Sequence, residues 1–198
     1  PLFQKAGVDL FAHPKAKRLW DGTLDIVNAG AFTPSLGDSG SVTGDPAFTQ
    51  VAVFEPAARA YRNNRFRGAL AEGRARGAEL FSRLDSLFQP PPNVGAPLPP
   101  QRSRLLDGTG LAILNNPADT ISLTLTYGLK AGHGHYDRLS FEMFGAGQPL
   151  MPDLGYPDAM NDFVSGIYTW SKNTVSHNTV VVDARRQSGN VMGRVNLF

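Results

Sequence analysis

The sequence predicts an α+β chain, helical in its first part and folded as an antiparallel β-sandwich in its second. Three observations carry that prediction. Phe48, Val51, Ala52, Phe54, Ala58 and Tyr61 recur at helical spacing. The cluster Pro90-Pro91-Pro92, followed by Pro97, Pro99 and Pro100, admits neither helix nor central strand. Beyond it, Ile121-Ser122-Leu123-Thr124-Leu125-Thr126-Tyr127 alternates with period two, as a strand with one buried face does. The expected organisation is a helical segment over 1–88, a proline-rich linker over 89–102 and a sandwich domain over 103–198.

Within the first segment, apolar residues from Phe3 to Val27 are interrupted by Pro14 and Gly22, which predicts two short helices. Residues 30–46 hold Thr33-Pro34-Ser35-Leu36-Gly37-Asp38-Ser39-Gly40, a composition that favours a loop, and loops of this length inside a domain are often functional. Asp45-Pro46 has the form of an N-cap with proline in the first helical turn, so a helix is expected to start there and run through Tyr61. A second helix is expected over 66–88. After the prolines, strands are expected around Leu111 and Ile113, over 121–127, 137–144, 148–151 and 178–183, and finally over 190–198. That last strand reaches the end of the sequence, so its sheet is expected to be completed by further residues.

Composition narrows the function. With 41% hydrophobic and 18% charged residues among 198, the chain has material for a true core. A formal charge of +2, with the basic residues scattered, does not suggest a nucleic-acid surface. Cysteine is absent, so any metal site must use His, Asp or Glu. No apolar run reaches the roughly 18 residues of a membrane span, and no signal peptide is read at Pro1, where the missing Met suggests a mature form or a fragment.

The densest polar constellation is Gly132-His133-Gly134-His135-Tyr136-Asp137, which holds two of the four histidines just before a strand-like run. On extended backbone His133 and His135 face the same way, with Cα atoms about 6 to 7 Å apart. Further on stand Pro152-Asp153-Leu154-Gly155-Tyr156 and Ser176-His177-Asn178-Thr179. An HxH, an aspartate and a remote histidine are donors enough for tetrahedral zinc. The plainer readings are a surface HxH, a turn aspartate and a polar residue opening a strand. Spacing alone does not decide between them.

The run from Gly132 to Tyr156, followed by Ser176-His177-Asn178-Thr179-Val180-Val181-Val182-Asp183, resembles the heparinase II/III-like polysaccharide lyases, which include oligo-alginate lyases. The resemblance implies an incomplete α/α toroid followed by an antiparallel β-sandwich, of which this chain would hold the end and the beginning. It implies a largely architectural Zn2+ ion on His135, Asp153 and His177, with His133 facing the substrate. The Gly37-Asp38-Ser39-Gly40 loop is similar to a glycine-aspartate loop of the toroid, with no role attached to Asp38. The substrate so implied is an acidic, uronic-acid-containing polysaccharide or oligosaccharide of alginate or glycosaminoglycan type, cleaved by β-elimination in a periplasmic or secreted setting.

The family's catalytic tyrosine and upstream Asn or His have no match in residues 1–128. His13, Tyr61 and Tyr127 are the groups of suitable chemistry there, His13 reading better as a surface residue and Tyr61 as part of an apolar helix face. Truncation of the toroid is the expected reason for the gap, and activity is expected of the parent protein rather than of this chain alone. Tyr156 and Tyr168 are the tyrosines near the motifs, as acid or base candidates or as packed aromatics. Two rivals remain: a cupin-like metal enzyme using the HxH, Glu142 and His177, and a non-catalytic glycan- or protein-binding sandwich with structural zinc. Glu142 lies later after His135 than the cupin pattern requires.

Overall fold

The computed structural model describes residues 6–39, 42–78, 92–128, 134–155, 165–188 and 193–198. The chain divides into two compact units, one of residues 1–26 and 47–99, the other of residues 27–46 and 100–198.

The first unit is helical. A 3-10 turn, Leu10–Ala12, is capped by the Asp9 carboxylate, which accepts from Phe11 N, and is followed by α1 (Ala16–Asp25). These are the two short helices the sequence predicts. The helix expected from Asp45-Pro46 starts later: Phe48 has φ 66, which no helix accommodates, and a 3-10 turn over Val51–Phe54 leads into α2 (Glu55–Tyr61), with Pro56 in its first turn. Arg62, with φ 47, ends α2, and Asn63 caps α3 (Asn64–Ala75) by accepting from Arg65 N at 2.8 Å. The helix expected over 66–88 stops at Ala75, followed by Gly77 with φ 79, and residues 79–88 lie outside the described residues.

Its core is Leu24, Val51, Phe54, Ala57, Ala58, Phe66, Ala69 and Leu70, all buried. Phe11, Trp20 and Tyr61 form one aromatic cluster, Tyr61 reaching Phe66, and Trp20 Nε1 donates to Val53 O at 2.9 Å. Gly73 lets α3 lie against Val51, since a Cβ there would sit 2.1 Å from Val51 Cγ1.

The second unit is built on a five-stranded antiparallel meander, a layer of the kind a sandwich stacks. Its strands are β3 (Arg104–Leu106), β4 (Leu111–Asn115), β5 (Ile121–Thr126), β6 (Ser140–Gly145) and β7 (Gln148–Met151). β6 and β7 join through Ala146-Gly147, both with positive φ, the backbone of a tight type I′ hairpin. The loop 27–46 carries a two-residue pair, β1 (Phe32–Thr33) with β2 (Asp45–Pro46), so Asp45 and Pro46 serve a strand rather than a helix start.

Which face of the sheet is buried departs from the alternation the sequence suggests. Register puts Leu111, Ile113, Ser122, Thr124, Ser140, Glu142 and Phe144 on one face, and all are buried. The loop 27–46 covers this mostly polar face: Ala29 N donates to Ser122 Oγ (3.0 Å), Thr124 Oγ1 to Asn28 Oδ1 (2.6 Å) and Ser35 N to Glu142 Oε1 (2.8 Å), while Phe32 stacks on Phe144. The opposite face holds Leu114 and Ile121, both exposed, with Leu123, Leu125, Phe141 and Met143 half-buried.

Two expected strands are not found among the described residues. At 178–183 the chain instead turns tightly, with Asp183 and Ala184 at φ 52 and 53 and Arg185 N donating to Val182 O, and Val180 and Val182 stay exposed. Residues 193–198 form no strand, although Gly193 N donates to Tyr127 O at 2.8 Å, and residues 190–192 lie outside the described residues.

Replacing Gly73 by Ala should lower stability by about 1–3 kcal/mol, the usual cost of overpacking. Adding Val51→Ala should recover part of that loss, read as non-additivity in chemical-denaturation midpoints.

Candidate metal centre

Three segments of the sheet-bearing unit converge on one point. His135 lies in the connection from β5 to β6, Asp153 just past β7, and His177 directly after a 3-10 turn over Thr174–Ser176. Main-chain hydrogen bonds lace these segments together. Tyr136 N donates to Lys172 O (3.1 Å), and Phe141 N to Asn178 O (3.2 Å). Asn178 Nδ2 reaches Pro152 O (3.0 Å), and Thr179 Oγ1 donates to Arg138 O (2.7 Å). Asn178 thus ties the His177 segment both to β6 and to the chain beside Asp153, a role its place in the motif does not reveal.

His135, Asp153 and His177 are all buried, and one donor atom from each lies within 4.8 Å of the others. The imidazole rings are 5.3 Å apart. Asp153 Oδ1 accepts from Gly155 N (2.9 Å), while Oδ2 lies 2.6 Å from His177 Nδ1. His135 Nε2 lies 2.8 Å from Asp38 Oδ1. Each histidine therefore has one nitrogen against a carboxylate. The other nitrogens, His135 Nδ1 and His177 Nε2, are buried without a hydrogen-bond partner. Two orphaned imidazole nitrogens beside a buried carboxylate form a donor set that fits a metal ion.

Glu142 stands behind this group rather than in it. Burial first, then the nearby Asp153 charge, raises its pKa from 4.5 to about 8, against the pull of the Ser35 and Asp153 backbone N–H groups. Its carboxyl group holds the 27–46 loop through Ser35, and it is not part of the metal-capable group found among the described residues. Among the described residues, Glu142 therefore does not join His135 and His177 in the ligand set a cupin would need.

Of the other candidates, His133 and Tyr156 lie outside the described residues, and Tyr168 falls in α4 (Ser165–Ser171). His13 is exposed and accepts from Lys15 N. Tyr127 donates to Asp107 at 2.6 Å, and burial together with that bond pushes its pKa up to about 12, which suits a packed phenol and not a base. Tyr61 belongs to the aromatic cluster of the helical unit.

Residues 98–197, about half of the chain, match the family model described as heparinase II/III-like, C-terminal, and the chain belongs to that family. Over 59 residues it is 41% identical to an alginate lyase of Stenotrophomonas maltophilia and 32% identical to an exo-oligoalginate lyase of Saccharophagus degradans, in each case 26% of this chain and 8% of the relative. In fold it is similar to the heparan sulfate lyase HepC of Pedobacter heparinus, with TM-score 0.62 at 18% identity, covering 86% of this chain and 24% of that one. A heparinase III structure matches with TM-score 0.56 at 16% identity, over 87% of this chain and 26% of that one. The chain thus spans a small part of the curated relatives and about a quarter of the solved structures.

Because free glutamate in the unfolded chain loses its proton near pH 4.5 while Glu142 keeps its own to about 8, the unfolded state binds fewer protons between those values. In chelator-treated protein, stability should fall as pH rises from about 5 to about 8, and Glu142→Gln should flatten that slope in pH-resolved thermal melts.

Proposed function

We propose that this chain is part of a polysaccharide lyase that cleaves uronic-acid-containing glycans by β-elimination, with a structural zinc ion held by His135, Asp153 and His177. The observation that carries the proposal is the buried His-Asp-His group with two partnerless ring nitrogens, lying within the stretch that matches the family. The helical unit is the end of an α/α toroid, and the sheet, with its half-exposed apolar face, is one layer of the sandwich. Alginate oligomers and heparan-type glycans are the substrate classes that the names of its relatives suggest. Action in the periplasm or outside the cell fits a polymeric substrate. No helix among the described residues is long and apolar enough to cross a membrane.

β-Elimination removes the weakly acidic proton at C5 of the uronate, stabilises the charge that develops on the adjacent carboxylate, and protonates the leaving oxygen at C4. His133 is two residues from His135 in the sequence. In this reading either His133 takes the C5 proton and a tyrosine protonates the leaving oxygen, or His133 neutralises the carboxylate and the tyrosine both takes the C5 proton and gives one to the leaving oxygen. Tyr156 and Tyr168 are the candidates from this chain. Bound zinc would contribute by holding three segments in register, and the chemistry would fall to His133 and the tyrosine.

The test is release of unsaturated uronate by the whole protein from alginate oligomers and from heparan sulfate, with zinc measured in the same samples. His133→Ala should abolish turnover while keeping about one zinc per chain. His177→Ala should lose both. Undiminished turnover in His133→Ala would remove the histidine's assignment, and absence of product from either polymer would remove the lyase reading.

A further inference from the structure

The 27–46 loop brings a residue to the metal centre that the three proposed ligands do not include. Asp38 is 97 positions from His135 in sequence, yet its Oδ1 lies 2.8 Å from His135 Nε2. Both side chains are shielded, at 8% and 1% exposure, so solvent screens the contact little. Lys172 Nζ lies 3.6 Å from the same oxygen and balances the charge of the buried carboxylate. The loop holds Asp38 there by its own bonds. Ser35 N donates to Glu142, Leu36 N donates to Ser39 Oγ, and Ser39 Oγ donates back to Leu36 O, closing the turn around Gly37, whose φ is 62.

A neutral imidazole carries one N–H and one lone pair, and an ionised carboxylate can only accept. Asp38 therefore selects the tautomer of His135 with hydrogen on Nε2, leaving the lone pair on Nδ1. Nδ1 is the buried nitrogen without a partner. Outer carboxylates that orient a ligating histidine in this way raise its basicity and fix its ring.

We propose that Asp38 is a positioning residue of the metal centre. It accepts the Nε2–H of His135, so that the metal is ligated through Nδ1, and it couples the 27–46 loop to metal occupancy. The inference rests on the metal site proposed above and adds a fourth residue and a direction of ligation.

Two measurements on the full chain test it. Zinc affinity, measured by competition with a chromophoric chelator, should weaken about 10–100-fold in Asp38→Ala, and less in Asp38→Asn, which keeps an uncharged acceptor. Long-range proton–nitrogen NMR of the zinc-loaded wild type should show Nδ1 of His135 bound to metal and Nε2 protonated, a readout independent of whether the variants fold. Metal on Nε2, or wild-type affinity in Asp38→Ala, would overturn the positioning role while the metal site stands. A wild type that takes up no zinc would overturn the site and the positioning role together.

Discussion

Two buried imidazoles, each with one nitrogen against a carboxylate and the other unpartnered, set the main constraint on the sheet-bearing unit. A buried polar atom without a partner costs about 1–3 kcal/mol. Two of them claim a sizeable share of a net stability of about 5–15 kcal/mol. A metal ion held by His135, Asp153 and His177 would cross-link three segments of the chain. The surrounding hydrogen bonds, from Tyr136 N to Lys172 O, from Phe141 N to Asn178 O and from Asn178 Nδ2 to Pro152 O, hold these segments together.

The same economy of polar burial shapes the sheet. Ser122, Thr124 and Glu142 lie on a covered face, which is tolerable because the 27–46 loop supplies a partner to each of them. The loop is thus more than a connection: Ala29 N, Ser35 N and the Asn28 side chain satisfy Ser122, Glu142 and Thr124, and its turn at Gly37 delivers Asp38 to His135. The apolar face opposite remains half-exposed, as the face of a single sandwich layer would be.

Much of this was legible in the sequence because it depends on local patterning. Proline blocks helix and central strand alike, and period-two alternation marks β5. The family resemblance brought His135, Asp153 and His177 together on paper, and the structure brings their side chains together in space. What was not legible depends on partners far along the chain. Alternation at 121–127 gives two faces and does not say which is covered, because the cover comes from residues about 90 positions earlier. Val180-Val181-Val182 has strand propensity, but the turn at Asp183-Ala184 takes it away from a neighbour, and propensity without pairing makes no strand. Asp38 stood in a loop whose composition signalled importance without a role, since nothing local indicates a contact 97 positions away.

The proposed metal ion, held by two histidines and a carboxylate inside the sheet-bearing unit, is what the site depends on. X-ray absorption at the zinc edge of the loaded chain tests this directly. The account predicts low coordination, with the outer-shell scattering of two imidazoles and oxygen filling the remainder. A spectrum of an ion surrounded by about six oxygens, without imidazole scattering, would mean that zinc sits elsewhere on the surface and would contradict it.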